Sequence, residues 1–249
     1  MSGWRARIGI ISPVGETAER AFNMYAPEGV AINSTKIWFP GPSEEGLIHL
    51  GEQLESTASI FTKHRHDLVF FACTTGSLIK GLGYDQECIK KIESTSGARG
   101  LTTSTAVLEA FSKMGISTTA VITPYPESVN QAEKRFLEDN GIQVTNIQSL
   151  SGSPIKEVPN MSSGIVRIHK DAQDIEPSEL YRAAKELERN GAESLFISCA
   201  GLNTMDIIEI MEQDFGIPVI TSNQAGLWSS LRHCSVGTKI PRLGRLFTL

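Results

Sequence analysis

Hydrophobic residues in this chain fall into short continuous runs that alternate with stretches of helical spacing. Apolar runs predict strands at Arg7–Ser12, Val30–Trp38, Asp67–Cys73, Ser117–Thr123, Ile142–Ile147, Glu193–Cys199 and Ile217–Thr221. Helical spacing predicts helices at Gly46–Lys63, Thr105–Met114, Glu127–Asn140, Pro177–Asn190, Asn203–Phe215 and Gln224–Leu231. Strands that alternate with helices in this way predict an α/β fold built on parallel sheets.

The stretch from Gln148 to Gln173 fits neither pattern. It carries clusters of Ser, Gly, Pro and Asn without a clean period, which predicts a long loop. Loops of this length in compact domains are often lids or binding loops.

An internal repeat refines the predicted architecture. Residues 70–77 (FFACTTGS) resemble residues 196–203 (FISCAGLN), and residues 100–106 (GLTTSTA) echo residues 219–225 (VITSNQA). The repeat predicts two pseudo-symmetric lobes, each a parallel sheet flanked by helices. Residues 1–102 with 222–249 would form lobe 1, and residues 103–221 would form lobe 2. The alternative is a coincidental pair of similar turns within a single sheet.

Composition narrows the class of protein. The chain has 249 residues, 40% of them hydrophobic, and a formal net charge of -5. This apolar fraction argues against intrinsic disorder, and no apolar run approaches the roughly 20 residues of a membrane span. The absence of a Lys/Arg cluster argues against nucleic acid as a partner. The opening residues do not resemble a signal peptide, so we expect a soluble, cytoplasmic protein with no membrane partner.

Two of the four cysteines, Cys73 and Cys199, end the repeated strands. Ligands of open parallel sheets bind outside the carboxyl ends of the strands, so both thiols would face one cleft. Each precedes a predicted helix start, where the helix dipole would lower the thiol pKa from about 8.5. Two thiols across a small carboxylate could exchange protons on opposite faces of a carbon, or one could add covalently while the other assists. The alternative is two buried structural thiols.

Residues beside these thiols are candidates for binding the substrate. Thr74 and Thr75 supply hydroxyl donors next to Cys73, whereas Ala200 and Gly201 let a ligand approach the backbone next to Cys199. Cys88 and Cys234 lie in polar surroundings without a repeat partner and are interpreted as incidental.

Two further turns at strand ends add candidates. Tyr125 follows the predicted strand Ser117–Thr123, where its phenol could donate a hydrogen bond into the cleft or serve a structural purpose. The turn after the first strand contains Pro13 and Glu16. Glu16 could act as an acid or base, or could stabilise the first turn of the next helix.

Other familiar motifs are missing from the sequence. No G-x-G-x-x-G follows a strand, and there is neither a Walker A sequence nor a G-x-S-x-G elbow. His64 and His66 lie in a charged stretch that favours a solvated surface, and the other histidines are scattered. We therefore expect no metal site and no cofactor.

Five segments together carry a family resemblance: residues 72–77 (ACTTGS), 102–107 (TTSTAV), 123–125 (TPY), 198–202 (SCAGL) and 218–226 (PVITSNQAG). The chain resembles the aspartate/glutamate racemase superfamily, in the branch that holds maleate cis-trans isomerases and arylmalonate decarboxylases. The resemblance implies a two-lobed α/β enzyme with its active site between the lobes and no metal or organic cofactor. The tail, residues 237–239 and 244–247, is similar to the decarboxylases.

The resemblance also implies roles for individual residues. Cys199 matches the cysteine shared across the branch, and Cys73 matches a position that is cysteine in racemases and maleate isomerases but glycine in the decarboxylases. Thr74, Thr75 and Tyr125 match side chains that hold the substrate carboxylate or enediolate.

Two departures from the maleate isomerase pattern concern the substrate. An asparagine is expected in the turn after the first strand, where this chain has Glu16, and another in the central loop, near Ser162. Asn160 lies close enough that a shifted alignment restores the second. The resemblance therefore supports two-thiol chemistry without fixing maleate as the substrate.

The leading hypothesis is a cofactor-independent isomerase, a racemase or a cis-trans isomerase, that acts on a small carboxylate or dicarboxylate through Cys73 and Cys199. The substrate-binding candidates are Thr74, Thr75, Tyr125, Ala200, Gly201, Pro13, Glu16 and Ser162. One alternative is an arylmalonate-type decarboxylase in which Cys199 donates the proton; another is a non-catalytic carboxylate-binding protein. The sequence leaves open whether the protein forms a homodimer.

Overall fold

Strands and helices alternate along almost the whole chain in a computed structural model, which describes residues 3–249 except 14, 40, 42, 151–154, 161–163 and 170. The strands are β1 Ala6–Pro13, β2 Val30–Ile37, β3 Leu68–Phe71, β4 Arg99–Thr102, β5 Thr118–Thr123, β6 Gln143–Ser149, β7 Ile155–Asn160, β8 Gly164–His169, β9 Ser194–Ile197 and β10 Val219–Thr221. The α-helices are α1 Thr17–Tyr25, α2 Glu44–Glu52, α3 Leu54–Ala58, α4 Tyr84–Ser96, α5 Thr103–Met114, α6 Glu127–Asp139, α7 Pro177–Glu186, α8 Ile208–Phe215 and α9 Ser222–His233. Within the described ranges, none of these helices combines the length and the apolar character needed to cross a membrane.

Eight of the strands form two parallel sheets of four. Their orders are β2-β1-β3-β4 and β10-β9-β5-β6. The strands that lead to Cys73 and Cys199, β3 and β9, each have a neighbour on both sides, and all their residues are buried. This burial explains their unbroken apolar sequences. The predicted α/β class with two parallel sheets flanked by helices is confirmed.

One apolar core joins the two sheets. Phe70 of β3 and Phe196 of β9 belong to the same cluster of buried side chains, together with residues of α5 and α9. The rings of Phe111 on α5 and Phe196 meet edge to face with centroids 5.9 Å apart. A Cβ at Gly226 of α9 would lie 2.5 Å from the Phe70 ring, so the absence of a side chain lets this helix lie directly on β3. The lobe boundaries at 102/103 and 221/222 stay a prediction.

Several helices differ from their predicted extents. The predicted helix Gly46–Lys63 is divided into α2, α3 and a 3-10 helix at Ser59–Lys63. The predicted helix Asn203–Phe215 becomes helical only at Ile208. Turns replace the first part of the predicted helix and separate Cys199 from the start of α8. The helix dipole therefore has less effect on the pKa of the Cys199 thiol.

The prediction of one long loop over Gln148–Gln173 is wrong. β6 continues to Ser149, β7 and β8 form an antiparallel hairpin, and a 3-10 helix occupies Ala172–Asp174. Residues 165–168 (IVRI) are rich in β-branched types that favour extended backbone. The Ser, Gly, Pro and Asn residues around them obscured this preference.

Candidate active site

Cys73 and Cys199 lie at the carboxyl ends of β3 and β9, one in each sheet, and meet around Tyr125. Cys73 is 8% exposed and shares an apolar cluster with Tyr125. Cys199 is partly buried and packs against the same cluster. Negative charge on Cys199 raises the pKa of Cys73, and negative charge on either sulfur raises the pKa of Tyr125. Such effects arise between groups that lie close together, because ionising one makes it harder to ionise the other. The two thiols, 126 positions apart in the sequence, therefore share one environment.

The turn after Cys73 directs hydrogen-bond donors at its sulfur. A one-turn 3-10 helix, Thr75–Ser77, follows the strand end. The Gly76 N–H and the Thr75 hydroxyl donate hydrogen bonds to the sulfur, and both lower its pKa. A Cβ at Gly76 would lie only 2.8 Å from Cys73 Sγ, so the turn can approach the sulfur this closely only with glycine at that position.

The backbone at Cys199 is strained. Its φ is +131°, a conformation rare for residues with a side chain. The Gly201 N–H donates to Cys199 Sγ over 3.3 Å, and the Leu202 N–H and the Tyr125 hydroxyl also donate to this sulfur. Strain of this kind costs on the order of 1–3 kcal/mol and persists where surrounding contacts enforce it, often at functional sites.

The expected lowering of the thiol pKa values is wrong. Burial raises the pKa of Cys73 to about 12 and raises that of Cys199, outweighing the hydrogen bonds to each sulfur. The helix dipole invoked in the prediction is weak here because Cys73 precedes only a single 3-10 turn and α8 begins nine residues after Cys199. Both groups are therefore thiols at neutral pH, a state suited to donating protons.

The N-terminus of α9 links the two cysteine turns. Ser222 Oγ accepts a hydrogen bond from the Cys199 N–H over 3.0 Å and lies 2.9 Å from Thr74 Oγ1. Asn223 donates from Nδ2 to the Ala200 carbonyl over 3.0 Å. These positions were noted in the sequence only as part of a motif; the signal that could have found them was the repeated hydroxyl cluster at the helix start.

The N-terminus of α5 supports the Cys73 turn in a similar way. Ser77 Oγ donates to the Cys73 and Thr74 carbonyls, each over 2.9 Å, and lies 2.7 Å from Ser104 Oγ. Thr103 Oγ1 donates to the Phe71 carbonyl over 3.1 Å. The repeated hydroxyl clusters thus each hold backbone at a strand end.

Tyr125 is fixed by the turn between β5 and α6. Its N–H donates to Thr123 Oγ1 over 3.1 Å, and its carbonyl accepts from Ser149 Oγ over 2.7 Å. Burial raises the pKa of its phenol well above 10, with further increases from Cys199 and Glu133. The phenol therefore stays protonated and donates a hydrogen bond to Cys199. A protonated phenol can also donate a hydrogen bond to a bound carboxylate.

The structure places most of the remaining predicted binding residues at element ends. Pro13 ends β1, the strand beside β3, and is half-buried. Glu16 is exposed and lies directly before α1. Ala200 is 8% exposed next to Cys199. Ser162 lies outside the described residues.

The 3-10 helix Ala172–Asp174, within the stretch predicted as a loop, contacts turns from both sheets. A Cβ at Gly201 would lie 3.0 Å from Ala172 Cβ, and one at Gly15 would lie 2.9 Å from Gln173 Oε1. Asn203 Nδ2 donates to the Gln173 carbonyl over 3.0 Å. This segment therefore borders the candidate site. The polar composition of the stretch did not by itself predict that position.

Comparison with known proteins identifies relatives that share this fold. The family model described as arylmalonate decarboxylase matches residues 8–247. The chain is 26% identical to an arylmalonate decarboxylase from Bordetella bronchiseptica, covering 82% of this chain and 80% of that protein. It is 24% identical to a maleate isomerase from Nocardia farcinica, covering 87% and 83%.

A solved structure of Nocardia farcinica maleate cis-trans isomerase superposes with a TM-score of 0.84 at 20% identity. The match covers 97% of this chain and 98% of that one. That structure is a cysteine-to-serine variant with a covalently bound succinylcysteine intermediate. The likeness establishes the two-sheet fold, and the predicted family resemblance is confirmed.

Proposed function

The chain belongs to the arylmalonate decarboxylase family, and within it we propose that this protein is a cofactor-independent isomerase of small carboxylic or dicarboxylic acids. Cys73 and Cys199 are the proposed catalytic groups. The observation that carries the proposal is their shared environment: two thiols from two sheets meet at Tyr125, and each receives hydrogen bonds that would stabilise a thiolate.

In the cis-trans version, the Cys73 thiol gives up its proton to solvent water, and the resulting thiolate adds to one carbon of the double bond. A C–S bond forms, and the π electrons move to the other carbon and its carboxylate. The Cys199 thiol protonates that carbon, which leaves a single bond free to rotate. Cys199 then removes the proton and the C–S bond breaks, returning the electron pair to sulfur and releasing the trans acid. The succinylcysteine in the Nocardia farcinica structure supports this covalent route.

In the racemase version, no bond to sulfur forms. One thiolate removes the proton from the α-carbon, the electrons pass to the carboxylate, and the thiol of the other cysteine protonates the opposite face. In either version the Thr74 and Thr75 hydroxyls and the Tyr125 phenol would hold the negative charge that develops on the carboxylate. Gly201 and Ala200 leave room for that group beside Cys199, and Pro13, Glu16 and Ser162 are proposed to border the substrate.

Replacement of each cysteine tests the proposal. Cys73→Ala and Cys199→Ala should each abolish isomerisation of maleate, followed as loss of the cis acid and gain of the trans acid, without unfolding the protein. Cys234→Ala removes a partly buried thiol outside this cluster and should retain activity. Full turnover in either the Cys73 or the Cys199 variant would contradict the two-thiol mechanism. If maleate is not turned over, exchange of the α-proton of small amino or hydroxy acids for deuterium tests the racemase version.

A decarboxylase is the second candidate, favoured by the matching family model and by the Bordetella bronchiseptica relative. Here Cys199 would protonate the enediolate left after an arylmalonate loses carbon dioxide, and Cys73 would be dispensable. Release of carbon dioxide from an arylmalonate by the Cys73→Ala variant would support this candidate. A non-catalytic carboxylate-binding protein would show neither reaction, and both thiols would alkylate at ordinary rates.

A further inference from the structure

A fully buried carboxyl group acts electrostatically on Cys199 and Tyr125. Glu133 is 0% exposed, on the face of α6 that also buries Val129, Asn130, Phe136 and Leu137. Among the described residues, neither of its carboxyl oxygens has a hydrogen-bond partner of ordinary geometry. Burying an ionised carboxylate without partners is very costly, so its placement needs a reason.

Two sets of groups face this carboxyl. One is the Ser198 hydroxyl, which is also buried and otherwise unpartnered, and which opposes the rise in the pKa of Glu133. Ser198 directly precedes the strained Cys199. The titratable groups that face Glu133 are the thiol of Cys199 and the phenol of Tyr125, whose pKa values its negative charge raises.

The protonation state of Glu133 changes close to neutral pH. Burial raises the pKa of its carboxyl from 4.5 to about 7. Below this pH the group is a neutral acid. Above it, the group carries a negative charge that acts on the Cys199 sulfur, with no cation among the described groups that influence its own pKa.

We propose that Glu133 is a positioning residue that controls the pH range in which Cys199 can carry negative charge. The carboxylate works against a thiolate on Cys199 and against charge beside Tyr125, whereas the neutral carboxyl does not. The group acts through its neighbours and does not itself need to touch the substrate. This inference rests on the proposed role of Cys199 but is tested without turnover.

Alkylation of Cys199 by iodoacetamide, followed by mass spectrometry of the modified peptide, tests it. The reaction needs the thiolate, so its pH dependence reports the pKa of Cys199. Glu133→Gln keeps the shape of the side chain and removes the charge. We expect the alkylation profile of Cys199 to shift to lower pH by about one unit, which is about a tenfold faster reaction at pH 9.

Glu138→Gln is the matched control, because Glu138 lies on the exposed side of α6, 3.9 Å from Lys134. It should leave the profile of Cys199 unchanged. A wild-type profile in folded Glu133→Gln would overturn the inference. If isomerase activity is absent but the profile shifts, the proposed function fails while the inference about Glu133 stands.

If Glu133→Gln does not fold, the inference is tested on the wild-type protein instead. Carbon-13 NMR of labelled glutamate carboxyls is recorded after alkylation of Cys199 with iodoacetate, which adds a charge, or with iodoacetamide, which does not. We expect the carboxyl that titrates near pH 7 to titrate about one unit higher with the charged adduct. Identical titration in the two adducts would overturn the inference.

Discussion

The backbone N–H of Cys199 donates a hydrogen bond of 3.0 Å to the hydroxyl of Ser222, the first residue of α9. The same hydroxyl lies 2.9 Å from Thr74 Oγ1, directly after Cys73 in the sequence. One serine thus connects the turns that carry the two thiols and holds the backbone of Cys199 at its strained φ. This helix start therefore contacts the turns of both thiols.

Ser222→Ala should lower both stability and activity. It leaves the buried Cys199 N–H without its acceptor, which costs about 1–3 kcal/mol of unfolding free energy, measured by urea denaturation. Ser230→Ala is the matched control: Ser230 is buried on the same helix, but its hydroxyl has no hydrogen-bond partner among the described residues. Equal losses in the two variants would contradict the role assigned to Ser222.

Gly76→Ala should impair catalysis while the protein stays folded. The new Cβ would lie 2.8 Å from Cys73 Sγ, so the sulfur must move. A displacement of about 1 Å at a reacting atom can reduce turnover on the order of 100-fold. Gly237→Ala is the control, since a Cβ there meets no atom within 4 Å. Steady-state kinetics on the substrate identified for the wild type make the measurement, and unchanged kcat in Gly76→Ala would show that the turn tolerates the methyl group.

Tyr125→Phe should make Cys199 less reactive. The phenol hydroxyl donates to the sulfur and lowers the pKa of Cys199, so its loss raises that pKa further. At a fixed pH below the pKa, a rise of one unit slows alkylation about tenfold. The rate is measured with iodoacetamide and peptide mass spectrometry. Tyr181→Phe, whose hydroxyl donates to Asp214 at the surface, should leave the rate unchanged.

Glu109 should contribute to stability in a pH-dependent way. It joins α5 to α9 through His233 Nε2 at 2.9 Å and the Ser229 hydroxyl. Burial would raise the pKa of Glu109, but the hydrogen bonds from His233 and Ser229 leave it below 4.5. Because the folded pKa is lowered, the stabilisation is complete above pH 4.5 and is lost as the pH falls through the folded value.

Urea unfolding of wild type and Glu109→Gln at a series of pH values tests whether the stabilisation by Glu109 is lost as the pH falls. The wild type should be the more stable protein at pH 7, and its advantage should shrink below pH 4.5. Glu138→Gln, which alters an exposed pair, should show little difference at any pH. An advantage that grows as the pH falls would contradict the direction.

The sequence by itself determined the α/β class, the two-sheet repeat and the positions of Cys73 and Cys199 at strand ends. Strands buried on both faces must be apolar throughout, so DLVFFAC and ESLFISC can be recognised without knowledge of any contact. The hairpin β7–β8 was missed because turn-forming residues surround it. Glu133 could have been noticed as an acid within the apolar stripe of its helix.

Only the tertiary structure decided the chemistry of these positions. Whether a thiol pKa rises or falls depends on how deeply packing buries the sulfur and on which donors reach it, and burial outweighed the local signals at both cysteines. Ser222 and Thr74 are 148 positions apart in the sequence, and Tyr125 and Glu133 approach Cys199 from another part of the chain. Such contacts arise because packing of the core brings together elements that are distant in the sequence. A local sequence pattern does not specify which distant residues will be in contact.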